Sequence, residues 1–383
     1  MMTRASLLIP LALIAALVAV FLTTRPFDYL SKGAPPAEEL TVENVTLDKS
    51  GIHASVRAAG SEPVRLAQVQ IDGAYRAFTL TPAAPIRYLR TARVDIPYPW
   101  VAGEAHHLLF ITASGATFEH TIEVAVATPQ TILSDLAGLA LVGLFVGIVP
   151  VLIGYAFYPA LQSFGENGRQ FAMALTIGLL VFLFIDTLGE GLEAAEAAAP
   201  GLKADIVVWI AAFVSFLVLL AVGRRDGRPP EGVALALFIA IGIGIHNLGE
   251  GLAIGASFGI GEVALASFLV LGFSLHNVTE GIAISAPIAR ERISLPLLAG
   301  LAVIAGGPAI LGTMSGVFAV SPVWTALAFG VGAGAILQVI VEVGASLMRK
   351  KEGDVPSWFS PASISGFVGG IAIMYATAFI IHG

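Results

Sequence analysis

The feature that most constrains this chain is a series of long apolar segments in its C-terminal two thirds. Hydrophobic residues make up 56% of the 383 residues and charged residues only 12%, a balance typical of a polytopic membrane protein. A helix needs about 20 apolar residues to cross the hydrocarbon core of a bilayer. Eight segments meet that length, at 132–157, 170–194, 204–223, 233–257, 261–287, 293–319, 322–348 and 359–382. We therefore expect a polytopic α-helical membrane protein in which residues 129–383 form an eight-helix bundle.

The N-terminal third has a different character. Residues 5–22 form an apolar run after Arg4 without a clear small-residue cleavage site, so we expect residues 1–30 to be a transmembrane anchor, with a cleaved signal segment as the alternative. Residues 31–128 contain short alternating runs such as "RLAQVQI" and "HHLLFITA", separated by Gly, Pro and Asp. Alternation with a period of two indicates half-buried strands. We expect a small all-β domain here, an antiparallel sandwich of immunoglobulin-like type.

Loop charges orient the predicted bundle. Ten Lys and Arg residues follow residue 131, and only Lys203 falls in a loop on one side of the predicted membrane. The other nine fall on alternate loops of the opposite side: Arg169, Arg224, Arg225, Arg228, Arg290, Arg292, Arg349, Lys350 and Lys351. By the positive-inside rule these loops are cytoplasmic. The sequence thus predicts a multi-pass protein of the cell (inner) membrane, embedded in the lipid bilayer, with the β-domain extracytoplasmic.

One short motif occurs twice within the apolar segments. Residues 244–255 read "GIHNLGEGLAIG", and residues 274–285 read "SLHNVTEGIAIS". In H-N-x-x-E-G the His and Glu are four residues apart and lie on one helix face, while the Gly leaves room for a neighbouring helix. The two copies lie on consecutive, antiparallel helices, so they meet near the middle of the membrane. A weaker copy, "IDTLGEGLEAA" at 185–195, places Asp186 and Thr187 at the His and Asn positions, and such internal symmetry is typical of transporters.

Acidic side chains occupy these segments without basic partners. A carboxylate at membrane depth costs about 2.5–3.5 kcal/mol on insertion scales, so it must be protonated, hydrated or matched by a cation from solution. A cation from solution would also account for the two histidines of the motifs, which protonated carboxylates alone would not require. Because the chain has no cysteine, a metal would be held by nitrogen and oxygen ligands, a set that suits zinc, iron, manganese or cobalt. The metal ligands expected from the motifs are His246, Asn247, Glu250, His276, Asn277 and Glu280.

Other polar residues are interpreted more loosely. Asp186, Glu190 and Glu342 lie deep in the apolar segments, where either a pathway or a structural role is open, and Glu193 is expected at a helix end in water or headgroups. The β-domain histidines are expected to be strand or surface residues rather than ligands, and they are His53, His106, His107 and His120. His106 and His107 would point to opposite faces of a strand, which disfavours a shared site.

On these motifs the sequence resembles the ZIP family of divalent metal transporters. In that family the fourth and fifth helices carry H-N-x-x-[DE]-G and [HQ]-[DEN]-x-x-E-[GH] motifs that face each other, and here "HNLGEG" and "HNVTEG" occupy those helices. The resemblance covers residues 132–382 and implies an eight-helix core with the six motif residues as transport ligands. It also implies pathway roles for Asp186 or Glu190 on the second helix and for Gln338 and Glu342 on the seventh.

The chain departs from the family pattern in three places. "AGGPAILG" has Pro308 followed by Ala309, where many bacterial relatives have a Glu-Pro pair, so we expect one metal rather than two. The loop "GRRDGRPPEG" lacks the histidine-rich run often found after the third helix, which leaves metal sensing by that loop unsupported. The anchor and β-domain lie outside the resemblance.

The sequence therefore predicts transport of divalent metal ions, zinc foremost with iron or manganese as alternatives, toward the cytoplasm. The metal would be the substrate, with no cofactor, no enzymatic activity and no nucleic-acid partner, and a homodimer stays open. Two other classes remain as alternatives. A membrane-embedded metalloenzyme could use the same ligands with a spare carboxylate as general base, although no H-E-x-x-H motif occurs. A membrane metal sensor would bind without flux.

Overall fold

The computed structural model describes residues 37–128, 133–224, 227, 229–259, 263–318, 321–348 and 359–382, with four further positions among the first 23 residues. The expected anchor at 1–30 therefore falls almost entirely outside the described residues. The β-domain and the helix bundle make up the described part of the chain.

The β-domain consists of eight strands in two four-stranded antiparallel sheets. The strands are β1 (Leu40–Asp48), β2 (Gly51–Ala58), β3 (Leu66–Ile71), β4 (Ala74–Arg76), β5 (Thr79–Thr81), β6 (Thr91–Ile96), β7 (His106–Thr112) and β8 (Thr117–Ile122). Their order is β1-β2-β6-β5 in one sheet and β4-β3-β7-β8 in the other. The first sheet has the A-B-E-D strand order of immunoglobulin-type sandwiches, and the second has the C-F-G order with β4 as an additional edge strand.

Alternating apolar residues of the two sheets form the core of the β-domain. Ile52 and Val94 of the first sheet and Val69 and Phe110 of the second are fully buried in one cluster. Burial alternates from residue to residue along β2, β6 and β7, as the period-two pattern predicted. The small antiparallel β-sheet region expected from the sequence is confirmed.

Among the described residues, eight helices are long and apolar enough to cross a membrane. They are α1 (Leu133–Tyr155), α2 (Glu166–Glu196), α3 (Ala204–Gly223), α4 (Gly232–Gly259), α5 (Val263–Ser285), α6 (Leu295–Gly316), α7 (Pro322–Met348) and α8 (Pro361–His382). Each overlaps one predicted segment. The membrane-compatible bundle expected from the sequence is thus observed, with α2 longer at both ends than expected.

The helices divide into two groups, each of which packs mainly within itself. The motif group consists of α1, α4, α5 and α6, and the support group consists of α2, α3, α7 and α8. Between the groups the most extensive contact is that of α4 with α7. The repeated motif therefore lies on one group and faces the other.

Glycines make the packing within each group very close. A Cβ added at Gly251 of α4 would lie 2.4 Å from the Ala309 carbonyl of α6, and one added at Gly178 of α2 would lie 2.2 Å from the Phe367 carbonyl of α8. Across the boundary, a Cβ added at Gly242 would lie 2.4 Å from the Val339 side chain but 3.2 Å from the nearest backbone atom, the Ala335 carbonyl oxygen. Each group is thus interlocked backbone against backbone, whereas the groups contact each other less extensively and mainly through side chains.

Candidate metal centre

Three motif side chains converge at one point between α4 and α5. Nε2 of His246 lies 2.8 Å from Oε1 of Glu250, one helical turn away on α4. Nε2 of His276 on α5 contacts the same oxygen. Nitrogen and oxygen atoms of the three residues all lie within 4.8 Å of one another, and the side chains are at most 9% exposed. This spacing is compatible with ligands that surround one ion at about 2.0–2.2 Å.

The two asparagines hold the two glutamates reciprocally. Nδ2 of Asn247 on α4 donates to Glu280 of α5 at 3.1 Å, and Nδ2 of Asn277 on α5 lies 3.5 Å from Glu250 of α4. Each motif thus supplies the amide for the carboxylate of the other. Glu280 lies outside the three-residue cluster, because its carboxylate is engaged by Asn247 rather than by a histidine.

Both amides also donate to backbone carbonyls in the turn before a proline. Pro150 has no N–H, so the Val146 carbonyl of α1 loses its helical donor, and Asn277 donates to that carbonyl at 3.0 Å. Asn247 donates to the Ala305 carbonyl of α6 at 3.1 Å, beside the Ile304 carbonyl that loses its helical donor at Pro308. The amides therefore connect the motif to α1 and α6 and fix its geometry.

Four buried atoms at the centre lack a hydrogen-bond partner within the described part of the chain. They are Nε2 of His246, Oδ1 of Asn247, Oδ1 of Asn277 and Oε1 of Glu280. Nε2 of His246 is close to Glu250 but lacks the geometry of a hydrogen bond. Buried polar atoms are normally satisfied, so a cluster of unsatisfied lone pairs favours a ligand that accepts electron pairs. A metal cation is such a ligand.

The support group contacts His246 from its other side. Oγ1 of Thr187 on α2 lies 3.3 Å from Nδ1 of His246, and Gly332 of α7 leaves space beside the ring. Neither residue was identified from the sequence. The weaker third motif copy carried a signal for Thr187, which stands at the Asn position, but nothing in the local pattern pointed to Gly332.

A cavity of about 980 Å³ leads to the centre from the side of the bundle that carries the β-domain, here named the outer half. Residues of α2, α4, α5, α7 and α8 line it, and His276 forms part of its wall. Asp186, Glu190 and Glu193 line it as well, as does Glu43 of β1, which Arg57 binds at 2.6 and 2.9 Å. No lysine or arginine belongs to its described lining. The third motif copy thus lines the cavity that His276 of the second copy borders.

The opposite, inner half of the bundle is densely packed. Ile239 and Ile243 of α4, Leu301 of α6 and Ile336 and Val339 of α7 are fully or almost fully buried in one apolar cluster. The main cavity does not include them. The centre is therefore accessible from the outer half and closed toward the inner half.

Glu342 has a basic partner, which corrects one expectation. The sequence predicted no Lys or Arg partner for any intramembrane carboxylate, but Arg224 binds Glu342 with Nε at 2.9 Å and Nη2 at 3.4 Å. Glu342 is fully buried, whereas the Arg224 side chain is 37% exposed. The prediction was wrong because Arg224 directly follows α3, and its long side chain reaches back between helices to α7. Gln338, one turn from Glu342, is buried with Nε2 unpaired among the described residues.

Two histidines of the β-domain have carboxylate partners. Nδ1 of His53 lies 2.5 Å from Asp95, and Nδ1 of His106 lies 2.9 Å from Asp72. Burial raises the pKa of Asp72, but hydrogen bonds from the His107 N–H and from His106 outweigh it, and its pKa lies below the usual value. The expected opposite orientation is also observed, since His106 is buried and His107 is exposed. These pairs fit the predicted structural role.

The structure brings together His246, Glu250 and His276 from the predicted set, and places Asn247, Asn277 and Glu280 directly around them. Asp186 and Glu190 lie along the cavity, and Gln338 and Glu342 lie in the inner half. No family model matches the chain, and no curated protein matches it, so neither comparison assigns it to a family.

Proposed function

We propose that this protein transports divalent metal ions across a membrane, with His246, Glu250 and His276 as the central ligands. The observation that carries the proposal is the convergence of two imidazoles on one carboxylate oxygen at membrane depth. Intramembrane ionisable groups are costly and are usually functional. A cation supplied from solution balances this negative charge, and zinc suits two imidazoles with carboxylates best, ahead of iron or manganese.

The cavity supports a direction of transport. The positive loop residues support a cytoplasmic inner half, with the outer half and the β-domain extracytoplasmic. The acidic lining of the cavity attracts cations and raises their local concentration at its mouth. The metal thus enters from outside, binds at the centre and leaves toward the cytoplasm of the cell whose inner membrane holds the protein.

The two helix groups support a mechanism of alternating access. Because each group is interlocked by close glycine contacts and the groups contact each other less extensively, the motif group moves as a unit along the support group. This movement carries the His/Glu centre from the outer cavity to the inner side. Metal competes with protons for the same ligand atoms, so acidification weakens binding.

The motifs further support assignment to ZIP-type transporters. Ala309 is fully buried where many bacterial relatives have an acid, which favours one metal ion for each chain. Glu280 is held by Asn247 and contributes charge beside the ion rather than a second cluster. Homodimerisation would not alter this arrangement, because all the proposed ligands come from one chain.

Reconstitution into liposomes tests the proposal. Uptake of zinc, iron(II), manganese or cobalt is measured with a metal-sensitive dye inside vesicles in which the β-domain faces outward. We expect wild-type uptake and loss to background in His246→Ala, Glu250→Gln and His276→Ala. His107→Ala, which changes an exposed histidine of the β-domain, is the matched control and retains uptake.

Other outcomes identify the alternatives. Metal binding without uptake would support a membrane sensor, and metal-dependent hydrolysis would support a membrane-embedded enzyme. Wild-type rates in all three ligand variants would contradict the assigned centre. Thermal unfolding of each variant in detergent checks that loss of uptake does not come from misfolding.

A further inference from the structure

His246 is positioned by both helix groups. Its Nε2 faces Glu250 within the motif group, whereas its Nδ1 lies 3.3 Å from Oγ1 of Thr187 on the support group. Thr187 and His246 are each 1% exposed. A Cβ added at Gly332 would lie 3.2 Å from Cα of His246 and 3.6 Å from Nδ1, so this side of the histidine fits closely against α7.

We propose that Thr187 is a positioning residue that orients His246 for metal binding, an inference that rests on the proposed function. A neutral imidazole has one N–H, and the nitrogen without it offers a lone pair. When Nδ1–H donates to the Thr187 hydroxyl oxygen, Nε2 is left free beside Glu250, which is where a metal ligand is needed. Partners of this kind fix the tautomer and ring orientation of a metal-binding histidine.

The hydrogen bond crosses the boundary between the two groups. Thr187 belongs to α2 and His246 to α4, and these helices have little other contact. Movement of the motif group along the support group separates the two side chains. His246 is therefore held in its metal-binding orientation only while the centre faces the outer cavity. The affinity for metal is highest in that state. Thr187 thus makes metal binding tighter in the state open to the outer cavity than in the state reached after the movement.

Three variants of the full-length chain, purified in detergent and titrated with Zn²⁺, test the inference. Removing a partner of a metal-binding histidine typically lowers affinity about 10- to 100-fold, and we expect such a loss in Thr187→Val. Thr187→Ser keeps the hydroxyl and should recover affinity to within about threefold of wild type. Thr176→Val is the matched control, because Thr176 is a fully buried threonine of the same helix whose hydroxyl binds the Ala172 carbonyl.

Uptake kinetics separate positioning from a packing role. In liposomes, Thr187→Val should raise the zinc concentration for half-maximal uptake and leave the maximal rate unchanged, whereas a packing defect lowers the maximal rate. Wild-type affinity in Thr187→Val, or equal losses in Thr187→Val and Thr187→Ser, would overturn the inference and leave the proposed function standing. Absence of Zn²⁺ binding by the wild-type chain would overturn the proposed function and this inference with it.

Discussion

The two halves of the bundle, on either side of the His246–Glu250–His276 cluster, are built in opposite ways. The outer half contains a cavity of about 980 Å³ lined by several carboxylates and no described lysine or arginine. The inner half is filled with Ile, Leu and Val side chains, and its buried Glu342 is paired with Arg224. Carboxylates thus line the cavity on one side of the centre, whereas the buried carboxylate on the other side is paired with an arginine.

This difference shows that the near symmetry of the motif does not extend to its surroundings. Two almost identical H-N-x-x-E-G frames meet at the centre, yet one face of that centre is open and the other is closed. A transporter needs such asymmetry, because simultaneous access from both sides would make it a channel. In the proposed transport cycle, this arrangement would be the state open toward the β-domain.

Cysteine labelling gives the largest expected contrast between the halves. The chain has no cysteine, so single substitutions report one position at a time. Gly189 lines the outer cavity with free space for a side chain, whereas Ala240 is fully buried in the inner cluster. Gly189→Cys should react with a water-soluble thiol reagent at least about 100-fold faster than Ala240→Cys, because buried groups react only after local opening. Equal rates would show that the inner half is hydrated as well.

Packing energies should follow the same division. Ile243 in the inner half is fully buried, and Ile185 in the outer half is 64% exposed. Ile243→Ala should lower the free energy of unfolding by about 2–5 kcal/mol through lost packing, and Ile185→Ala by about 0.5 kcal/mol or less. Denaturant unfolding in detergent measures both. A similar cost at the two positions would contradict a dense inner and an open outer half.

The inner ion pair gives a smaller effect. Arg224→Gln leaves the buried Glu342 carboxylate without its partner. For a fully buried pair this would lower the free energy of unfolding by about 3–5 kcal/mol. Because Arg224 is 37% exposed, we expect a loss of about 1–3 kcal/mol here. Arg290→Gln removes the arginine of an exposed pair with Glu166 and should cost about 1 kcal/mol or less. The double variant Arg224→Gln/Glu342→Gln should recover most of the stability. No recovery would mean that Arg224 acts through other contacts.

The sequence predicted the parts of this molecule that depend on local pattern. Segment length identified the eight helices, alternation identified the β-domain, and the four-residue spacing of His and Glu put His246 and Glu250 on one helix face. Contacts between distant helices were not predictable in this way. The approach of Arg224 to Glu342 depends on how α3 packs against α7, and the contact of Thr187 with His246 depends on two groups meeting. Contacts of this kind produce no regular spacing of residues within a short stretch of sequence.

The buried His/Glu cluster is proposed to bind a divalent metal ion, and metal analysis of the purified protein tests this central claim most directly. The wild-type chain and His246→Ala/His276→Ala are equilibrated with zinc at neutral pH, separated from free metal and measured by elemental analysis. We expect about one zinc for each wild-type chain and none above background in the double variant. A wild-type chain free of zinc, iron, manganese and cobalt, or equal metal in both proteins, would contradict the claim.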